Sequence, residues 1–126
     1  MKTKWMITSL LLLILSIVTK AETIAVTNFS TTGMGVSPEI AAKLARLEMV
    51  KMDKYSVLDE FDMAEVIESN PEYAYCYGKA CLVEIGEKLG VDYVLSVSVD
   101  ALGPKIVVTL KLIGVVNKAL ISTRTM

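Results

Sequence analysis

Histidine is absent from the 126 residues, which removes the commonest general base and the commonest metal ligand together. Cysteine is scarce: Cys76 and Cys81 are the only two, and two thiolates without histidine leave a tetrahedral zinc site incomplete. Phosphate-binding glycine loops are missing as well. Gly33-Met-Gly35 precedes a helix start, but no Lys-Ser/Thr follows it and the third glycine of a dinucleotide fingerprint is lacking. No serine sits in a nucleophile-elbow sequence. The acidic group Asp59, Glu60, Asp62, Glu65 and Glu68 has no glycine-turned loop with alternating ligands, so it reads as solvated surface rather than a calcium site. These absences point away from an enzyme, from a metal and from a cofactor.

What is present begins with two lysines, Lys2 and Lys4, ahead of an apolar stretch from Trp5 to Val18 and then Thr19-Lys20-Ala21. Basic, apolar and then small residues in that order make a secretory signal, and the apolar stretch is short for a membrane span, which takes roughly 20 residues. Residues 1–21 are therefore expected to be a signal peptide cut before Glu22, leaving residues 22–126 as one domain in the periplasm or outside the cell. Removal of Lys2, Lys4 and Lys20 leaves 10 basic against 14 acidic residues, a net charge of −4. The remaining lysines are scattered among acids, so no nucleic-acid partner is expected. No cysteine lies near the cut to accept a lipid.

Along the rest of the chain, Thr23–Phe29 is rich in β-branched and apolar residues and reads as a buried strand. Ser37-Pro38-Glu39 then opens a helix: a capping hydroxyl, a proline where its missing N–H is harmless, and an acid at the positive end. Ile40, Ala41, Leu44, Leu47 and Val50 recur at helical spacing and are expected to pack on a sheet. Tyr55–Leu58 is a second strand, and Asp62 and Glu65 have capping-box spacing for a short helix that Asn70-Pro71 ends. A polar, aromatic loop from Glu72 to Gly78 leads to a helix over Ala80–Leu89, stopped by Gly90. After that the period becomes two. Tyr93–Leu102, Ile106–Val116 and Ala119–Thr125, with a turn at Asn117-Lys118, form an antiparallel meander. The order is β-α-β-α-α-β-β-β, an α/β fold with a single mixed sheet of about five strands.

The runs Ile24–Phe29, Tyr55–Asp59, Cys76 through Gly86 and Leu89–Val94 resemble the periplasmic domain of the CsgG-like curli-assembly family. More loosely they are similar to the amino-terminal domain of TolB and to the outer-membrane lipoprotein activators of penicillin-binding proteins. The resemblance implies a non-enzymatic module for envelope biogenesis or secretion that works through protein–protein contacts, with partners in the envelope. An alternative it implies is a subunit of a curli-like secretion complex in peripheral association with the outer membrane. The pore of the curli group is not implied, since the chain has neither a lipid-accepting cysteine nor an extra pair of amphipathic strands.

Two features carry site expectations. In an oxidising compartment Cys76 and Cys81 are expected to close a disulfide worth about 2 kcal/mol in chain entropy. Separate buried thiols and a thiol-redox or small ligand-binding domain are the alternatives, although the four intervening residues differ from the two of thioredoxin-type sites. Tyr73, Tyr75 and Tyr77 alternate around Cys76, and tyrosine is enriched at contact surfaces, so this loop is the candidate protein contact. The competing reading folds the same rings over the cysteine pair. Self-association through a strand edge, giving a homo-oligomer, is a further expectation.

Overall fold

A computed structural model describes residues 3–6 and 21–126; the expected signal peptide lies largely outside them. No helix among the described residues is long and apolar enough to cross a membrane.

Among the described residues five strands form one mixed sheet in the order β2-β1-β3-β4-β5. β1 (Thr23–Thr32) lies parallel to both β2 (Ser56–Val57) and β3 (Tyr93–Leu102), while β4 (Lys105–Gly114) and β5 (Ala119–Thr125) continue antiparallel. The element order and sheet are those expected. β1 runs past its expected end at Phe29, with a shift of register between Thr27 and Ser30.

Helices cover both faces. α1 (Pro38–Met52) lies on one, and its start follows the sequence signal: the Ser37 hydroxyl accepts from the Ile40 amide and Pro38 stands at the first helical position. α2 (Glu60–Ser69) and α3 (Lys79–Leu89), joined through a 3₁₀ turn at Pro71–Tyr75, lie on the other. The expected cap of α2 is corrected. Asp59, not Asp62, is the N-cap, accepting from the amides of Phe61 at 2.7 Å and Asp62 at 3.2 Å. Asp62 sits in the first turn instead, where its charge still suits the helix dipole.

The face of α1 is also corrected. Ala41, Ala42, Ala45 and Met49 pack with Val26, Phe29, Leu95 and Val97, whereas Ile40, Leu44, Leu47 and Val50 point to solvent. Small side chains let the helix axis approach the pleated strands closely, and the larger aliphatics are left on the opposite side.

On the other face the core gathers Ala25, Met63, Tyr73, Leu82, Ile85, Val94 and Ile113. Gly86 is what brings α3 down onto it: a Cβ at this position would lie 2.9 Å from Val94 and closer still to Val115. At the head of the sheet Asp92 clasps β1 to β3. Its carboxylate accepts from the Thr23 amide at 2.9 Å and the Thr23 hydroxyl at 3.1 Å, and its carbonyl accepts from the Val115 amide at 2.9 Å.

Candidate contact surface around the tyrosine loop

The Pro71–Tyr75 turn is a short helix start whose amides are taken locally: Tyr73 donates to the Asn70 carbonyl at 2.9 Å and Cys76 to the Tyr73 carbonyl at 3.3 Å. The structure joins Cys76 to Cys81 by a disulfide with Cα atoms 5.8 Å apart, tying the end of the turn to the first turn of α3. Neither cysteine is free. The loop between them is therefore held at both ends.

The three tyrosines divide. Tyr73 is 2% exposed and belongs to the core beneath the loop, Tyr75 is 85% exposed, and Tyr77 is 38% exposed. Burial, and the Glu84 carboxylate that bonds its hydroxyl, push the Tyr73 phenol above its ordinary value. Tyr73 thus packs inward, and Tyr75 projects outward.

Two recesses flank the loop. A cleft of about 310 Å³ lies between α1, α2 and the turn, lined by Phe29, Arg46, Glu60, Ile67 and Ala74 among others. A second recess of about 230 Å³ opens over the far half of β3 and β4, lined by Ser30, Tyr77, Ser98, Asp100, Thr109 and Lys111. Lys111 Nζ donates to the Tyr77 carbonyl at 3.2 Å and so fixes the loop against the sheet. This second recess exists because α3 covers only the near half of its face, leaving polar side chains of β3 and β4 beyond it.

The first cleft is organised by Arg46, a residue the sequence pattern did not single out. β2 pairs with β1 only at Thr23 and Ile24, so the outer edge of β1 runs out of strand partners after the Leu58 amide meets the Ile24 carbonyl. Arg46 Nη2 takes the next outward carbonyl, that of Val26, at 3.3 Å, while Nη1 reaches Glu60 Oε2 at 3.4 Å. Glu60 also meets Lys43 at 3.5 Å. Burial pulls the Arg46 guanidinium down from its ordinary value, opposed by Glu60 and Asp59. The acidic group read as surface from the sequence therefore contains one residue, Glu60, that joins α2 to α1.

The arrangement offers aromatic area, hydroxyls and paired charges at the rim of a stapled loop, which is the chemistry of contact. Among the described residues no group of three or more Cys, Asp or Glu side chains is gathered to hold a metal.

No family model matches the chain, and no curated protein matches it. Solved structures do. The LpoB C-terminal domain from Escherichia coli superposes with a TM-score of 0.68 at 15% identity, covering 87% of this chain and 84% of that one. Lipoprotein GNA1162 from Neisseria meningitidis gives 0.55 at 17% identity, over 83% and 78% of the two chains. A PelC dodecamer from Paraburkholderia phytofirmans gives 0.54 at 19% identity, over 86% and 75%. At such identities the likeness is one of fold. It corrects the resemblance drawn from the sequence: the neighbours are the LpoB domain and related lipoproteins, with no curli-assembly protein among them, so the similarity to the lipoprotein activators is the one the fold carries. Two of the four runs behind the curli reading, Ile24–Phe29 and Leu89–Val94, are part of β1 and the segment whose Asp92 clasps it.

Proposed function

We propose that the chain is an exported, non-enzymatic module of envelope biogenesis that acts by binding other envelope proteins. The observation that carries this reading is the match of nearly the whole described chain to the LpoB C-terminal domain, taken with the resemblance of the sequence to the lipoprotein activators of penicillin-binding proteins. Lipoprotein GNA1162, from a different organism, supports the same envelope setting. The surface put forward for the partner is the stapled loop with Tyr75 outermost and the recess beside Tyr77. A penicillin-binding protein is the partner class to test first.

The test is chemical crosslinking in envelope preparations, followed by identification of the captured proteins, for the natural chain and for Tyr75→Ala. Tyr75 is exposed, so its truncation leaves the core intact, and the expected result is loss of the crosslinked partner with an unchanged circular dichroism spectrum. Equal capture by both chains counts against the surface. Determination of the amino terminus of the recovered protein tests export, with Glu22 expected first.

A further inference from the structure

One helix does not span five strands, and α1 leaves part of its side of the sheet open. Along β3 and β4 the side chains facing α3 are sealed, with Val94 and Ile113 at 0% exposure, while the adjacent Leu95 and Leu112 on the α1 side stay half-buried. Between α1 and the last two strands lies a recess of about 380 Å³, walled by Met49 and Met52 from the helix and by Leu95, Leu110 and Leu112 from the sheet. It is larger than either recess beside the tyrosine loop. Pockets for small ligands hold roughly 300–1,000 Å³, with mostly apolar walls and a few polar groups. The two unbranched methionines let one wall adapt to a chain-like occupant.

The polar groups select that occupant. They are Lys54, Tyr55, Ser122 and Arg124, and no carboxylate lines the recess among the described residues. β5 brings Ser122 and Arg124 to this side because they stand in register with Leu112 and Leu110. Lys54 follows the C-terminal cap of α1 and lies 5.5 Å from the centre of the Tyr55 ring. Among the described residues neither cation is paired with a carboxylate, whereas Lys43, Arg46, Lys51 and Lys118 each have one. Over residues 22–126 acids outnumber bases 14 to 10, so this recess carries the opposite sign to the body around it. An apolar chain with one anionic head satisfies both the walls and the cations. The volume limits the chain. A water occupies ~30 Å³ and a methylene about as much, so the recess takes roughly a dozen methylenes, one acyl chain rather than the two of a diacyl lipid. A carboxylate head also matches the two-pronged donor geometry of a guanidinium.

We propose that the recess between α1 and the β4–β5 pair is a binding site for a single-chain fatty acid, its chain lying on Leu95, Leu110 and Leu112 and its carboxylate paired with the basic rim of Lys54 and Arg124. The site is on the sheet face opposite Tyr73 and the disulfide, and it stands or falls independently of the partner reading given above.

Calorimetric titration of the exported protein with dodecanoate, and with dodecyltrimethylammonium as a cation of the same chain length, tests it. The expected result is one dodecanoate per chain, bound about tenfold or more tighter than the cation although the protein is acidic overall. Lys54→Gln and Arg124→Gln change exposed side chains and leave the circular dichroism spectrum unchanged, and each is expected to weaken dodecanoate about threefold to tenfold. Ser122→Phe fills the recess from β5 with a residue suited to a strand, and is expected to abolish binding without lowering the urea midpoint. Absence of dodecanoate binding overturns the proposal, as does equal affinity for the cation, indifference to both glutamine variants, or binding that survives Ser122→Phe. Two other occupants are read in the same set. Co-sedimentation with phosphatidylglycerol vesicles but no uptake of dodecanoate makes the recess a membrane face, and a dimer that Ser122→Phe breaks makes it a contact between copies; either result overturns the fatty-acid site.

Discussion

Arg46 shows how one side chain can complete a sheet that is too short. The guanidinium satisfies the Val26 carbonyl where β2 has ended and holds Glu60 at the start of α2, so it stitches α1, β1 and α2 together. Truncation leaves the Val26 carbonyl without this donor and Glu60 with Lys43 as its remaining cation, and hydrogen bonds to charged groups are worth roughly 1.5–3 kcal/mol each. Arg46→Ala is expected to lower the urea midpoint by an amount equivalent to about 2 kcal/mol, while Arg46→Lys, which cannot reach both partners with one ammonium, recovers only part. Gly86 makes the opposite kind of demand, for absence. Replacing it with alanine improves helix propensity by about 1 kcal/mol, but the added carbon must displace the branched side chains of Val94 and Val115. Overpacking of that kind costs about 1–3 kcal/mol, so Gly86→Ala is expected to destabilise on balance, measurable as a lower urea midpoint with an unchanged slope.

Most helix ends carry a local signal, although α3 starts at Gly78 without a side-chain cap, and this is why element order was readable. Ser37-Pro38-Glu39, Gly90 and the alternation after Tyr93 are short-range features whose physics needs no tertiary partner. Orientation needs one. The period of α1 pointed to the stripe of Ile40, Leu44, Leu47 and Val50 as the packing side, and the sheet took the alanines instead because they allow close approach. The cap of α2 was misplaced at Asp62 for a related reason: Asp59 lies three residues earlier, and only the chain's exit from β2 settles which one has extended backbone. Asp59→Ala is accordingly expected to cost about 1 kcal/mol, and Asp62→Ala a few tenths, in thermal or urea unfolding. The tyrosine loop was legible in part. Three tyrosines around a cysteine marked the place, but their inward or outward direction follows from the 3₁₀ turn and from Glu84, which the next helix supplies. The polar far half of β3 and β4 was visible only as alternation, since nothing local says how far α3 reaches.

The whole molecule is a sheet with a different layer on each side, and its stability against alkali links the two ends of that sheet. Tyr73 lies in the core under the disulfide, where burial and Glu84 raise its phenol above the ordinary value of about 10. Tyr93 opens β3, where a hydrogen bond to Glu22, then burial, act in the same direction. A raised phenol binds its proton more tightly folded than unfolded. Between the unfolded and folded values the native state holds more protons, so the contribution of these two phenols is level below about pH 10 and falls as pH rises beyond it. Tyr73→Phe removes one of the two groups, and the decline of the urea midpoint above pH 10 is expected to be shallower in that variant than in the natural chain. If the midpoint holds level to about pH 11 in the natural chain, or the variant declines just as steeply, the phenols are not ionising on unfolding as their surroundings require.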